Sequence, residues 1–321
     1  MTKTVTRNLR ALVAGAALVT ATAPVTAQAE EFINILTGGT SGVYYPIGVG
    51  LSKIFGDGIE GARTQVQSTK ASVENLNLLQ QGKGEFAIAL GDSVKYAWEG
   101  NADVGFAAPL DKIRGISAAY PNYIQVAASA DSGITTIADF KGKAISVGAP
   151  KSGTELNARA IMAAMGMSYE DFSKTEYLPF AESVELMKNR QLDATLQSAG
   201  LGVASLKDLA TSVPTTIVSI PAEVAEKLGA PYLAATIPAG TYEGQTADIP
   251  TLAVGNFFLT HADVSEETVY QMTKLMFENL PELVAAHKAA TAITLETALN
   301  GMPVPLHPGA ERYYREVGLI K

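Results

Sequence analysis

Two segments of the sequence carry hydroxyl side chains at the junction between a predicted strand and a predicted helix. The first reads Gly38-Gly39-Thr40-Ser41-Gly42-Val43-Tyr44-Tyr45-Pro46, and the second reads Gly148-Ala149-Pro150-Lys151-Ser152-Gly153-Thr154-Glu155. The first N–H groups of a helix lack intrahelical acceptors and lie at the positive end of its dipole, so both junctions suit an anion. Thr40, Ser41 and Tyr44 add hydroxyl groups that suit a carboxylate or a hydroxylated ligand.

Each junction also has an ordinary structural explanation. The first has the glycine spacing of neither a Walker loop nor a dinucleotide fingerprint, and a plain turn between strand and helix would account for it. In the second, Ser152 followed three residues later by Glu155 is the pattern of a capping box, which uses both side chains without a ligand. Two such junctions in different lobes would still hold an anion between them, because ligands of open α/β sheets lie beyond the carboxyl ends of the strands.

Other polar side chains at strand ends are candidates for the same cleft. Asp92 follows a predicted strand over residues 86–90, where it would accept a hydrogen bond from a ligand ammonium group or cap the next helix. Gln197 and Ser198 end a second predicted strand, and they would bind a polar ligand or satisfy the local backbone. Ser68, together with Thr69, would contact the ligand or cap the helix that follows.

The composition argues against several other classes of function. The chain has 321 residues, no cysteine, 24 Lys+Arg against 32 Asp+Glu and a net charge of −8, so we expect no disulfide, no thiolate chemistry, no structural zinc and no nucleic-acid partner. The three histidines lie far apart in sequence, and no nucleophile motif occurs. We therefore expect no catalytic residue, no metal and no cofactor. The alternative is an exported enzyme acting on a small organic acid, with a site assembled from distant residues.

The elements that must position these residues alternate along the chain in the manner of an α/β protein. Short apolar runs, each followed by an amphipathic segment, occur in two parts of similar organisation. Two extended stretches, residues 123–128 and 251–260, are predicted to cross between two lobes. The predicted first lobe comprises residues 30–126 and 253–321, and the predicted second lobe comprises residues 127–252. Such a hinge of two strands would let the lobes open and close.

The N-terminal stretch has the organisation of a cleaved secretory signal. Lys3, Arg7 and Arg10 precede a short apolar run, and Ala27-Gln28-Ala29 has the small-x-small pattern of a signal-peptidase site. The apolar run is shorter than the roughly 20 residues that a spanning helix needs. We predict that residues 1–29 are removed and that the mature protein is periplasmic, in a Gram-negative bacterium.

Four segments also resemble one family of transport proteins. Residues 38–46, quoted above, are similar to the N-terminal signature of the TAXI solute receptors of TRAP (tripartite ATP-independent periplasmic) transporters. Leu306-His307-Pro308-Gly309-Ala310-Glu311-Arg312-Tyr313-Tyr314-Arg315-Glu316 resembles their closing motif. Phe277-Glu278-Asn279-Leu280 and Ile237-Pro238-Ala239-Gly240-Thr241-Tyr242 match further family segments, so the resemblance covers essentially the whole mature chain.

The resemblance implies a monomeric protein with the two-lobed periplasmic-binding-protein fold, each lobe a mostly parallel sheet flanked by helices. Such a receptor closes on a small solute and docks on a membrane permease driven by an ion gradient. It implies glutamate, glutamine, 2-oxoglutarate or a related dicarboxylate as ligand. Matching positions imply these contacts: Gly39, Thr40, Tyr44, Ser152, Gly153, Thr154 and, from weaker matches, Asp92, Gln197 and Ser198.

This chain departs from many relatives at Leu90-Gly91-Asp92 and at Gln197, both at expected ligand positions, which leaves the identity of the solute open. A receptor for an ATP-driven importer is the alternative, since it shares the fold.

Overall fold

Ten strands form one continuous sheet in the part of the chain that this computed structural model describes, residues 1–2 and 31–321. The predicted signal peptide therefore lies almost entirely outside the described residues. The strands are β1 (Glu31–Leu36), β2 (Ala62–Gln67), β3 (Phe86–Leu90), β4 (Ile113–Ser129), β5 (Ala144–Ser146), β6 (Lys174–Glu176), β7 (Ala194–Ala199), β8 (Thr215–Val218), β9 (Leu233–Ile237) and β10 (Ile249–His261). They lie in the order β2-β1-β3-β10-β4-β7-β5-β6, with β8 also paired to β4 and β9 to β10.

Helices follow most of the strands and cover the sheet. They are α1 (Tyr44–Gly58), α2 (Ser72–Gln80), α3 (Gly91–Glu99), α4 (Gly153–Ala164), α5 (Phe180–Lys188), α6 (Ala204–Ser212), α7 (Ala222–Leu228), α8 (Glu266–Glu278), α9 (Leu280–Ala286) and α10 (Pro308–Glu316). Among the described residues no helix combines the length and the apolar character needed to cross a bilayer.

Two long antiparallel strands join the halves of the sheet. The first part of β4 pairs with the last part of β10, and the end of β4 pairs with β7 and β8. β10 pairs with β9 at its start and with β3 toward its end. The first lobe thus holds β1–β3 with α1–α3 and α8–α10, and the second lobe holds β5–β9 with α4–α7. Both predicted crossings are confirmed as parts of β4 and β10, while the lobe boundaries at residues 126 and 253 stay predictions, because both strands run through without a break.

Parallel pairing within each lobe brings the carboxyl ends of neighbouring strands to one edge. β1 is parallel to β2 and β3 in the first lobe, and β5 is parallel to β6 and β7 in the second. Antiparallel β10 and β4 separate the two sets, so the fold is the mixed α/β arrangement that the alternating sequence predicts. The loops that follow β1, β3, β5 and β7 all lead into helices, and this connectivity decides where a ligand site can form.

The apolar spacing of the sequence explains how α1 packs on the first lobe. Ile47, Leu51 and Phe55 recur on one helix face and are fully buried against the sheet. Gly48 lies on the same face, where a Cβ atom would come within 2.4 Å of the Thr37 side chain. Only glycine therefore lets α1 approach the end of β1 this closely, and that approach fixes the start of α1 beside the loop of residues 38–43.

Two local features differ from what the sequence pattern predicts. Helix α1 begins at Tyr44 instead of at Pro46, so the proline occupies the third helical position. The edge strand β2 has no apolar run. It contains the polar residues Arg63, Thr64 and Gln65 in succession, and it is only partly buried. Its pairing to β1 depends on the tertiary structure and not on a local signal.

Candidate functional site

A cavity of about 290 Å³ lies between the lobes, where four helices begin. The first lobe contributes the starts of α1 and α2, and the second lobe contributes the starts of α4 and α5. Its lining consists of residues 38–44, 68–72, 152–154 and 179–182, together with Leu90, Asn122, Ala149, Ser198 and Ala199. Four positive helix ends and many hydroxyl groups thus surround one space that neither lobe encloses alone.

The loop before α1 is held in place by hydroxyl groups of the neighbouring strand end. Ser68 Oγ donates to the Gly38 carbonyl oxygen at 2.9 Å, and Thr69 Oγ1 donates to the Thr37 carbonyl oxygen at 2.9 Å. Those hydroxyl hydrogens are therefore already used, so Ser68 can act on a ligand only as an acceptor. Thr40 and Ser41 have no side-chain hydrogen bond within the described residues, and their hydroxyls are free to donate.

Tyr44 is fixed by a buried network that crosses the hinge. Its hydroxyl donates to Asn256 Oδ1 in β10 at 2.5 Å, and Asn256 Nδ2 donates to Asn122 Oδ1 in β4 at 2.8 Å. Asn122 Nδ2 in turn donates to the carbonyl oxygen of Ser198 at 2.9 Å. Burial raises the pKa of the Tyr44 phenol well above its usual range, so the hydroxyl stays neutral. The network joins the Tyr44 side chain of the first lobe and the Ser198 backbone of the second lobe to the two hinge strands.

The start of α4 is capped by only half of the predicted capping box. Ser152 Oγ accepts a hydrogen bond from the Glu155 N–H at 3.1 Å. The Glu155 carboxylate does not return to the cap, because it pairs with the Arg159 guanidinium at 2.7 Å. Ser152 therefore accepts from one of the N–H groups that have no partner within the helix. The N–H groups of the residues before Glu155 in the first turn lie at the cavity.

Gly153 lies at a close contact between the lobes. A Cβ atom there would lie 2.6 Å from Leu90 Cδ1 and 2.8 Å from Ser72 Oγ, both in the first lobe. The Glu74 N–H also donates to the Lys151 carbonyl oxygen across the gap at 3.2 Å. The start of α4 therefore packs directly on the start of α2.

Ser198 offers the clearest unused polar group of the cavity. The residue is 5% exposed, lines the cavity from the end of β7, and its Oγ has no hydrogen-bond partner within the described residues. A buried hydroxyl without a partner is unusual in a folded protein, which indicates a ligand or water at this point.

Nine of the eleven predicted site residues line this one cavity. They are Gly39, Thr40, Ser41, Tyr44, Ser68, Ser152, Gly153, Thr154 and Ser198. Asp92 and Gln197 lie outside the lining. Gln197 is fully buried, and its Oε1 accepts from Ser205 Oγ at 2.6 Å, so it faces α6. Since residues alternate sides along a strand, the neighbours Gln197 and Ser198 point in opposite directions.

Asp92 binds groups of the second lobe instead of facing the cavity. Its Oδ2 accepts from Asn157 Nδ2 at 2.6 Å and from the Tyr232 hydroxyl at 2.7 Å, and its Oδ1 accepts from the Ser93 N–H at 2.6 Å. The side chain is 1% exposed, and burial raises the pKa of its carboxyl group. The predicted direct contact with a ligand ammonium group is thus replaced by a contact between the lobes. The alternative role as the cap of α3 is also wrong, because α3 begins at Gly91, its N-cap is Leu90, and no side chain caps it.

Sequence reasoning did not identify Asn122 or the start of α5 as parts of the site. Asn122 lies inside a long strand without any glycine-rich signal. Residues 179–182 do follow an extended stretch and open a helix, so the same junction pattern that identified residues 38–46 was available there. The cavity lining includes two charged side chains, Lys70 and Glu182, and both are exposed.

The predicted absence of a metal site rests on the sequence. Among the described residues no three His, Cys, Asp or Glu side chains cluster in a way that would hold a metal ion.

His307 has a structural contact, since its Nδ1 accepts from the Gly309 N–H at 3.1 Å and its Nε2 lies 3.0 Å from the Val264 carbonyl oxygen.

Comparison with known proteins gives the family. A family model described as the NMT1-like family matches residues 35–318. The chain belongs to the NMT1-like family. The matched residues run from the end of β1 to beyond α10, so they include every residue that lines the cavity.

Solved structures support the assignment of the fold. PhnD1 of Prochlorococcus marinus MIT 9301, in complex with methylphosphonate, is 10% identical with a TM-score of 0.58, covering 91% of this chain and 100% of that one. A protein of Bordetella bronchiseptica RB50 is 14% identical with a TM-score of 0.57, covering 89% and 98%. The alkanesulfonate-binding protein SsuA of Xanthomonas axonopodis pv. citri, bound to MOPS, is 15% identical with a TM-score of 0.50, covering 90% and 91%. The NMT1-like protein therefore has the two-lobed periplasmic-binding-protein fold.

Proposed function

We propose that this NMT1-like protein is a periplasmic receptor that captures a small organic anion by closing its two lobes. The observation that carries the proposal is the convergence of four helix N-termini, two from each lobe, on one cavity. Backbone N–H groups at such ends bind oxyanions without a basic side chain. Because both lobes supply them, the bound anion favours the closed arrangement over the open one.

The proposed ligand carries a carboxylate at each end: glutamate, 2-oxoglutarate or a related dicarboxylate, or glutamine as the half-amide. One carboxylate would meet the loop of residues 38–44 in the first lobe, and the other would meet residues 152–154 in the second. Ser198 would donate its free hydroxyl to the ligand between them. A cavity of about 290 Å³ suits a ligand of this size. The net charge of −8 does not prevent this, since local dipoles outweigh distant charges that salt screens.

The proposed partner is the permease of a TRAP transporter, and the receptor is proposed to be of the TAXI type. The similarity of residues 38–46 and 306–316 to TAXI signatures supports this choice. The fold also occurs in receptors of ATP-driven importers, which makes such an importer the second candidate. Uptake of labelled solute by membrane vesicles of the native host, with purified receptor added, separates the two. An imposed sodium gradient without ATP should drive uptake, whereas uptake that requires ATP would identify an importer.

The proposed receptor releases its solute unchanged, and it is exported with loss of residues 1–29. Proton NMR of the bound solute after release should show no new compound, and a new compound would identify an enzyme. Mass spectrometry of the exported protein should give an N-terminus near Glu30.

A panel of candidate solutes tests the receptor itself. Thermal unfolding of residues 30–321, refolded to remove carried-over ligand, would be measured with glutamate, glutamine, 2-oxoglutarate, succinate and a neutral sugar. A solute at a hundred times its Kd should stabilise the protein by about 2.7 kcal/mol. A shift with an organic acid and none with the sugar is the expected result. Stabilisation by the sugar alone would contradict the proposed class of ligand.

A further inference from the structure

A second and larger concavity, of about 690 Å³, lies beyond the loop that follows β7. Ser198 and Ala199 line the first cavity. Leu201 and Gly202, which follow after one intervening residue, line this groove. Its walls come from three parts of the chain: β4 at residues 120–123, the second lobe at residues 201–207 and 241, and the segment 284–292 that ends α9. The groove therefore has walls from both lobes and from a hinge strand.

The charged and titratable groups of this groove that carry nitrogen are lysines and a histidine, set in a largely apolar wall. Its lining contains Lys207, Lys288 and His287 and no aspartate or glutamate. Neither lysine has a carboxylate within ion-pair distance among the described residues, although the protein as a whole carries a net charge of −8. Lys207 belongs to the second lobe, whereas Lys288 belongs to the first. Two ammonium groups without a carboxylate partner among the described residues thus line one groove in an otherwise acidic molecule.

The ring of His287 has a fixed orientation. Its Nδ1 accepts a hydrogen bond from the Ala289 N–H at 3.1 Å, so the neutral ring carries its proton on Nε2. Burial lowers the pKa of His287, and the positive charge of Lys207 lowers it further. The ring is therefore a neutral N–H donor near Lys207, and it feels the positive potential of the groove.

Tyr120 forms part of the wall between the groove and the hinge network. It lines the groove, it is 1% exposed, and its hydroxyl has no hydrogen-bond partner within the described residues. Its ring lies next to Gly200, where a Cβ atom would be 3.5 Å from the ring. Burial raises the pKa of the Tyr120 phenol, and the nearby Tyr44 raises it further, so this hydroxyl lies on the side of the buried hinge network and not in the groove.

We propose that this groove is a second anion-binding site, separate from the cavity between the helix starts, that holds a small oxyanion between Lys207, Lys288 and the His287 Nε2–H. Charge-assisted hydrogen bonds from two ammonium groups and one imidazole N–H suit a dianion of sulfate, phosphate or dicarboxylate type. Because the lysines belong to different lobes, a bound dianion would link them beside the hinge. The proposal does not depend on the ligand of the first cavity.

NMR of the three histidine rings tests this site with sulfate, whose charge is constant across the histidine range. Sulfate bound in the groove opposes the positive potential there, so the pKa of His287 should rise and the shift should saturate with sulfate concentration. Chloride at equal ionic strength should produce only a small unsaturating change. The His287→Asn variant assigns the signal.

Methionine variants keep the length of each lysine stem and remove only its charge. Lys207→Met and Lys288→Met should each weaken sulfate binding about tenfold, while Lys83→Met, at an exposed lysine outside both concavities, should leave it unchanged. Each variant can be compared with the wild type by circular dichroism, since all three side chains are exposed. Equal responses of all three variants, or an equal response to chloride, would overturn the proposal. Loss of the His287 response in Ser198→Ala would also overturn it, because sulfate would then occupy the first cavity.

Discussion

Replacing Asp92 by asparagine should stabilise the protein near pH 8. The carboxylate is 1% exposed, and the donors that bind it, from Ser93, Asn157 and Tyr232, are all uncharged. Burial without a cation raises the pKa of the Asp92 carboxyl group in spite of these hydrogen bonds. The ionised form is therefore less favourable in the folded protein than in water, and an amide of the same shape removes that charge.

The magnitude follows from opposing contributions. Burying a carboxylate costs several kcal/mol. The raised pKa of Asp92 indicates that its four hydrogen bonds and its place at the start of α3 offset this cost only in part. Asparagine keeps its bonds, because the unpartnered Oδ1 of Asn157 can accept from the new amide once the Asn157 amide flips. We expect a net gain on the order of 1 kcal/mol, or a Tm about 2–4 °C higher.

The pH dependence of this gain identifies its cause. A carboxyl group with a raised pKa binds a proton more readily in the folded state, so wild-type stability rises as the pH falls through that pKa. The advantage of Asp92→Asn should thus be full near pH 8 and shrink in acid. Asp139→Asn is a control of opposite sign, since hydrogen bonds from the Thr135 and Thr136 backbone lower the pKa of this exposed carboxyl group to about 2. That variant should be less stable at neutral pH, and its deficit should shrink as the pH falls from about 4 toward 2.

Differential scanning calorimetry of the wild type, Asp92→Asn and Asp139→Asn across the pH range measures the gain and the loss of stability. An Asp92→Asn variant less stable than the wild type near pH 8 would refute the argument, because the charge itself would then stabilise the contact between the lobes.

Two other substitutions test how the closed site is built. Gly153→Ala should weaken solute binding at least about tenfold, because its Cβ atom would lie 2.8 Å from Ser72 Oγ and hold the lobes apart; calorimetric titration that gives the wild-type Kd would show that the contact is not needed. Asn256→Ala should reduce the free energy of unfolding by about 2–4 kcal/mol, because it leaves the buried Tyr44 hydroxyl and the Asn122 side-chain oxygen without partners. Urea unfolding measures this loss, and a change below about 0.5 kcal/mol would mean that the network contributes little.

Local signals in the sequence identify the elements and most of the cavity wall. The apolar run of β3 and the strand–glycine–helix junction before α1 each depend on residues close together in the chain. The hinge network is different, since Asn122 and Asn256 are 134 positions apart and neither has a local pattern that marks it. Their partners become known only when β4 and β10 pair.

Asp92 illustrates the same limit for a single side chain. Its position after β3 correctly predicts a place at the start of α3, near the cleft. Whether its carboxylate faces a ligand or the other lobe depends on Asn157 and Tyr232, which are 65 and 140 positions away. The sequence of the first lobe contains no information about those contacts, so the role of Asp92 requires the three-dimensional structure.

The most direct test of the proposed receptor compares two hydroxyl groups of the same strand. Ser198 and Thr195 both lie in β7, are at most 5% exposed and have hydroxyls without a partner in the described part of the chain, but only Ser198 lines the cavity. With the organic acid that gives the largest thermal shift, calorimetric titration should show Ser198→Ala binding about 5–30 times more weakly, a loss of about 1–2 kcal/mol. Thr195→Val should bind within about twofold of the wild type. Equal affinities for both variants would contradict the claim that the solute binds in the cavity between the four helix starts.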